Sequence, residues 1–167
     1  MDESPQQADW RHWLEVHTPK LLLFARQQAR SEADAQDLVQ ESLVEASQRQ
    51  EDGQPPPVPL VFATIRRRAI DLARRDDRRA GRELAALEPM PAAWFDTNVE
   101  DRELRQLMQD AMSRLPAMYR EVITLKVWGG LTFAEIADTL GIPANTAASR
   151  YRYGLIELRK LTKEVLA

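Results

Sequence analysis

Read for polarity alone, the chain is a succession of apolar positions three or four residues apart, interrupted by clusters of proline and glycine. Trp10, Trp13, Leu14, His17, Leu21, Phe24 and Gln28 mark a first amphipathic stretch, the spacing that lines up side chains on one face of a helix. Pro19 falls inside it, so the pattern predicts a kink or a division into two helices. Ser31, with Asp34 three residues on, predicts the cap of a second helix from Asp34 to about Gln48. Its apolar side is Ala35, Leu38, Val39, Leu43 and Ala46. Pro55, Pro56, Pro57 and Pro59 then make residues 47–59 a loop. A third helix is expected from Leu60 to about Arg79, with a narrow apolar stripe of Phe62, Ile65, Ala69 and Leu72. Residues 88–98 (EPMPAAWFDTN) hold two prolines and no helical period, and read as a linker. Trp94 and Phe95 are out of place in a free linker and are expected to pack on one of the domains.

Helical spacing resumes after Val99 with Leu104, Leu107 or Met108, Ala111 and Leu115, and Pro116 opens a further helix that runs to Trp128. Gly129 and Gly130 end it. Thr132 stands three residues before Glu135, the spacing of a capping box. Phe133, Ile136, Ala137 and Leu140 give the short helix that follows a buried side. Gly141 occupies the place where a left-handed residue closes a helix, and Pro143 suits the opening of the next. That last helix repeats Ala147, Tyr151, Gly154 or Leu155, Leu158 and Leu161 on its inner face. Thr146, Ser149, Arg150 and Tyr153 lie on its outer face, with Arg152 alongside. A helix, a tight glycine turn and a helix with a polar, basic outer stripe predict a helix-turn-helix. No stretch alternates as a strand does. The expected fold is therefore all-α: two small helical domains, residues 1–87 and 99–167, joined by the linker 88–98, the second a helix-turn-helix domain.

Charge alters this picture. The chain has 23 Lys+Arg against 26 Asp+Glu, a net −3 that by itself speaks against nucleic acid. The average conceals three blocks. Residues 1–54 hold 5 basic against 11 acidic side chains, residues 55–87 hold 8 against 4, and residues 100–167 hold 10 against 9. Between Thr146 and Lys163, Arg150, Arg152, Arg159, Lys160 and Lys163 face Glu157 alone. A helix entering the major groove needs small hydrogen-bonding residues for base edges and cations for phosphates, and this stretch has both. In the third helix Arg67, Arg74 and Arg78 flank the apolar stripe on one side, and Arg68, Arg75 and Arg79 on the other. Asp71, Asp76 and Asp77 are spaced to pair with some of them. The remaining cations suit the backbone of a nucleic acid. Asp34, Asp37, Glu41 and Glu45 form an acidic stripe on the second helix, either a solvated face or a docking surface.

Several function classes drop out. With no cysteine, neither a disulfide framework nor a thiolate metal site can form. His12 and His17 are the only histidines and have no carboxylates at metal-ligand spacing, so no metal and no cofactor is expected. No nucleophile–base pair or phosphate loop is evident, so the chain does not read as an enzyme. The longest apolar run, Leu21 to Ala25, is far too short to span a bilayer, and no signal peptide precedes the first acidic residues. The expectation is a cytoplasmic protein without membrane insertion.

LPAMYREVITLKVWGGLTFAEIADTLGIPANTAASRYRYGLIELRKL closely resembles the C-terminal DNA-binding region of bacterial sigma factors, specifically the small extracytoplasmic-function group. DAQDLVQESLVEA resembles the polymerase-binding helix of that family, and FATIRRRAIDLARRDDRR its minus-10-reading helix. The order and spacing of the three motifs and the linker between them also fit, so the resemblance extends over nearly the whole chain. The resemblance implies a protein that binds core RNA polymerase, directs it to promoter DNA and helps open the duplex. It implies that Asp37, Gln40 and Glu41 grip the clamp helices of polymerase. Arg66, Arg67, Arg68, Arg74, Arg75 and Arg78 would read and melt the minus-10 element, holding bases that have left the stack. Thr146, Ser149, Arg150, Arg152, Tyr153, Arg159 and Lys160 would serve the minus-35 element, while the other side of the domain meets the polymerase flap. The linker would thread towards the RNA exit channel. Family members are often held by an anti-sigma factor, which makes one a candidate partner here. Four positions depart from the commonest family pattern: Arg67 for asparagine, Ala147 for valine, Ala148 for lysine and Tyr153 for arginine. These bear on the promoter sequence and not on the architecture. The alternative is a sigma mimic that sequesters an anti-sigma factor without touching DNA. A dimeric repressor would leave the first half of the chain unexplained.

Overall fold

Ser4 starts the first helix with a capping box: its hydroxyl accepts from the Gln7 amide at 3.3 Å while the Gln7 side chain accepts from the Ser4 amide at 3.2 Å. The computed structural model describes residues 4–80, 93–95 and 101–166, the side chains of Ala80, Val165 and Leu166 aside. All regular structure among these residues is helical, and the chain divides into two units between Ala92 and Ala93.

In the first unit, α1 (Pro5–Gln28) passes Pro19 as one helix, so the expected division into two helices does not occur. An interior proline costs a helix ~3 kcal/mol. The burial of Leu21, Leu23, Phe24 and Ala25 just beyond it offsets that loss. α2 (Glu32–Gln48) begins at the predicted cap, with the Ser31 hydroxyl accepting from the Asp34 amide at 3.1 Å. α3 (Val58–Ala80) starts two residues earlier than its pattern suggested, with Pro59 in the first turn, where no amide hydrogen is needed. The three helices pack pairwise around Leu21, Phe24, Leu38, Val39, Val61, Phe62 and Ile65. Phe24 and Phe62 meet edge to face at 5.4 Å. The predicted stripe of α3 leaves this core after Ala69, since Leu72 is 36% exposed. From Asp71 to Arg79 only Asp76 is half-buried, so the arginines at this end of α3 are exposed.

In the second unit, α4 (Arg102–Arg114) is capped by Asp101, whose carboxylate accepts from the Leu104 amide at 3.0 Å. Val99, where helical spacing was expected to resume, lies outside the described residues. α5 (Ala117–Ile123) follows Pro116 and runs into one wide helical turn, Thr124–Trp128, closed by Gly129 donating to the Thr124 carbonyl at 3.0 Å. Then come α6 (Phe133–Leu140) and α7 (Ala144–Leu166). Met112, Leu115 and Ile123 are buried together, with Met108, Trp128, Tyr151, Leu158 and Leu161 packed around them.

The alternative left open on α7 resolves to Gly154, which is buried, while Leu155 is 38% exposed. A Cβ at Gly154 would lie 3.0 Å from Ile123 Cδ1 and 3.1 Å from Tyr119 Cβ, so glycine lets α7 seat on α5. Trp94 packs on the same cluster, its amide donating to Gln109 Oε1 at 3.0 Å and its ring lying under the Arg120 guanidinium. Phe95 meets Trp128 at 5.5 Å. The two aromatic residues of the presumed linker thus belong to the second unit. Residues 88–92 and 96–98, and the boundary expected at residue 87, lie outside the described residues.

Candidate nucleic-acid interface

The helix-turn-helix is assembled from local chemistry. Thr132 Oγ1 accepts from the Glu135 amide at 3.2 Å and Glu135 Oε1 accepts from the Thr132 amide at 3.0 Å, a reciprocal cap that starts α6. Gly141 ends it at φ 67°, the left-handed conformation in which a side chain would be strained. The Ile142 amide returns to the Ala137 carbonyl at 3.0 Å. Phe133 meets the Tyr151 ring edge-on at 5.6 Å, and Lys126 lies 4.5 Å above Phe133 while donating to the Leu131 carbonyl. These contacts hold α7 with Ala147 and Gly154 inward.

On the outer side of α7, Arg152, Tyr153, Arg159 and Lys160 are exposed, and Thr146, Ser149 and Arg150 are half-buried. Arg150 lies three residues from Ala147 and four from Gly154, so it borders the buried face. Arg152 points further out, with its guanidinium over the Tyr153 ring at 5.0 Å. Lys160 donates to Glu157 at 3.1 Å. No ion pair engages Arg150, Arg152 or Arg159 among the described residues. Ile156, 47% exposed, sits among these cations one turn beyond Arg152, and the inward-facing pattern alone did not single it out.

The arginines of α3 divide into two sets. Arg67 and Arg68 turn back onto α2, where both donate to Glu45: Arg67 through Nη2 to Oε1, and Arg68 through Nε to Oε2 at 2.7 Å. Arg68 Nη1 also donates to Glu41 Oε2 at 3.0 Å. Arg68, foremost, and Arg67 hold the Glu45 carboxyl below the usual carboxylate range. Arg74, Arg75 and Arg78 are exposed and, among the described residues, have no ion pair. Asp76 and Asp77, expected to pair with arginines of their own helix, face Arg30 at 3.8 and 3.7 Å instead. Arg30 stands in the short turn between α1 and α2, a long-range placement that helical spacing could not show. Arg66 is half-buried beside Ile65.

On α2, Asp37, Gln40 and Glu41 are all exposed. Beside Gln40 runs an open groove of about 660 Å³ lined by Trp10, Leu14, Leu43, Val44, Ser47 and Gln48. Val44 is 59% exposed there and Leu14 36%, an apolar patch bordered by polar side chains, as contact surfaces are. Leu43 had been placed on the buried side and Val44 on none. The signal in the sequence was their adjacency, two large apolar residues that one narrow stripe cannot both join. Among the described residues no group of three or more His, Asp or Glu side chains could hold a metal, and no helix is long and apolar enough to cross a membrane.

Comparison with known proteins agrees with this geometry. Residues 13–79 match the Sigma-70 region 2 family and residues 105–158 the Sigma-70 region 4 family. The RNA polymerase sigma-E factor of Streptomyces avermitilis is 30% identical over 152 residues, which cover 91% of this chain and 84% of that one. The extracytoplasmic-function sigma factor SigL of Mycobacterium tuberculosis is 30% identical over 89% of this chain and 86% of its own. Among solved structures, the sigma factor RpoE of Bartonella quintana, in complex with the anti-sigma factor NepR, shares the fold with a TM-score of 0.66 at 24% identity. That match covers 93% of this chain and 97% of that one. Two helical units in the sigma-factor order, and relatives that match along nearly their whole length, lead to one conclusion: the chain belongs to the extracytoplasmic-function group of RNA polymerase sigma factors.

Proposed function

We propose that this sigma factor divides promoter recognition between the free arginines of α3 and the outer stripe of α7, and docks on core RNA polymerase through the exposed face of α2. The carrying observation is the apolar groove that Gln40 helps to line, on the helix that also exposes Asp37 and Glu41. A polar rim around exposed apolar residues suits a protein partner, while Arg74, Arg75 and Arg78 of α3 and Arg150, Arg152 and Arg159 of α7, which have no ion pair among the described residues, suit phosphates. In this reading α3 serves the minus-10 element, with Arg74, Arg75 and Arg78 on the backbone. α7 enters the minus-35 major groove with Ser149, Arg150, Arg152 and Tyr153, and Arg159 and Lys160 lie along phosphates. The chain carries out no chemistry of its own and works in the cytoplasm, where polymerase supplies the reaction. The Bartonella quintana structure is a complex with an anti-sigma factor. An inhibitor of that class is proposed as a third partner.

Run-off transcription with core polymerase on a randomised promoter pool tests this reading. The expected result is a product from a minor set of templates sharing two separated elements. A chain that bound core polymerase yet enriched no template would overturn the promoter-reading role. Glu41→Lys should weaken association with core while helix content and thermal unfolding stay nearly unchanged.

A further inference from the structure

Successive side chains on a helix point about 100° apart, and two guanidinium groups repel one another. Arg67 and Arg68 nevertheless bring their heads to one place. The cause is a carboxylate from another helix: Glu45 of α2 offers Oε1 to Arg67 and Oε2 to Arg68, while Glu41, one turn away, takes a second donor of Arg68. Arg49, one turn further along α2, also approaches Glu45 Oε1, at 3.5 Å. The layering matters. Glu45 lies deepest, with its side chain 20% exposed, and the arginine side chains above it are 34% and 52% exposed. Each guanidinium has five N–H donors, and most of those on Arg67 and Arg68 remain for a ligand. The three arginines outnumber the two glutamates, so the cluster still attracts an anion.

We propose that Glu45 is a positioning residue for promoter DNA: it converges Arg67 and Arg68 into a paired-cation clamp for one backbone phosphate of the minus-10 strand. The proposal rests on the reading that α3 faces that element. Two forks held side by side match a phosphate better than two arginines splayed along a helix, and their ordering is complete before DNA arrives. Glu45 itself does not touch DNA. It acts through the arginines it holds.

Coulomb attraction alone and positioning predict opposite signs, which makes the test decisive. Full-length protein, saturated with core polymerase, is titrated with a fluorescein-labelled duplex carrying a promoter that the holoenzyme transcribes. Glu45→Gln removes a negative charge near DNA, so simple attraction predicts tighter binding. Glu45→Asp keeps the charge but shortens the reach. Positioning predicts that both weaken binding, by roughly three- to tenfold, and make the salt dependence shallower by about one phosphate contact. In an Arg67→Ala/Arg68→Ala background neither should have any effect. Tighter or unchanged binding by Glu45→Gln overturns the proposal. So does a loss that persists in the double-alanine background, which would assign Glu45 to folding. If the double-alanine variant binds the promoter as well as the parent, the minus-10 reading of α3 fails and the proposal falls with it.

Discussion

The two basic helices of this sigma factor, α3 and α7, present cations in different ways. On α3, Arg67 and Arg68 are tied to carboxylates of a neighbouring helix, and Arg74, Arg75 and Arg78 further out have no ion pair among the described residues. On α7 the cations share their face with Ser149, Tyr153 and Ile156, and Arg152 is backed by an aromatic ring and not by a carboxylate. An arginine held by an acid keeps its direction but loses much of its net field. An arginine on a ring keeps both charge and donors. α7 is thus suited to hydrogen bonds with base edges, and the outer end of α3 to the uniform charge of the backbone.

The largest expected effect removes one side of this comparison altogether. Gly154→Leu places a side chain where even a Cβ would crowd Ile123 and Tyr119. Overpacking of this kind costs ~1–3 kcal/mol. In calorimetric melting the transition of the second unit should move to lower temperature, while the unit containing α3 keeps its own. A single shared transition shifted as a whole would show that the two units do not unfold independently.

Arg152→Ala should cost ~1–3 kcal/mol in promoter binding and relax preference at one position of the minus-35 element. Arg150→Ala, bordering the buried face, is expected to lose less. Selection from a randomised element ranks the two; equal losses would mean that exposure does not sort these contacts.

Arg74→Ala should behave differently from both. Affinity should fall alike for all sequences, with the slope of log affinity against log salt shallower by about one. A change in sequence preference would place Arg74 against a base and erase the contrast between the helices.

The smallest effect is on acid stability. Arg26 holds the Glu32 carboxyl below its ordinary range, and Arg68 and Arg67 do the same for Glu45. These groups bind protons more weakly folded than unfolded, so their contribution is complete above the ordinary carboxylate range and declines as pH falls through the folded values. His17, lowered chiefly by burial, has the same sign at a higher pH: its contribution is whole above about 6.5 and shrinks as the unfolded chain begins to protonate. All three residues lie in the first unit. Urea unfolding from pH 8 to 3 should therefore show the first unit weakening, with each exposed pair worth at most ~1 kcal/mol. Glu32→Gln should flatten the lower part of that profile.

Local signals in the sequence were enough for the elements whose cause is local. The Ser31 cap, the Thr132–Glu135 box, the left-handed Gly141 and the all-helical spacing each depend on residues within one or two turns, and each stands where the chain pattern put it. Residue order also carried the family, because three motifs in series rarely arise together by chance. Spacing along one helix says nothing of a neighbour's charge. The partners of Arg67 and Arg68 are 22 and 23 residues away on α2, those of Asp76 and Asp77 lie in the α1–α2 turn, and Trp94 is seated by Gln109 and Arg120. Pro19 makes the same point in reverse. A local rule offered a division of the helix there, and the burial of Leu21, Leu23, Phe24 and Ala25 against two other helices kept it continuous. Capping and periodicity are decided within a helix, whereas charge pairing, burial and the seating of α7 on Gly154 are decided between helices, and only the folded chain brings those partners together.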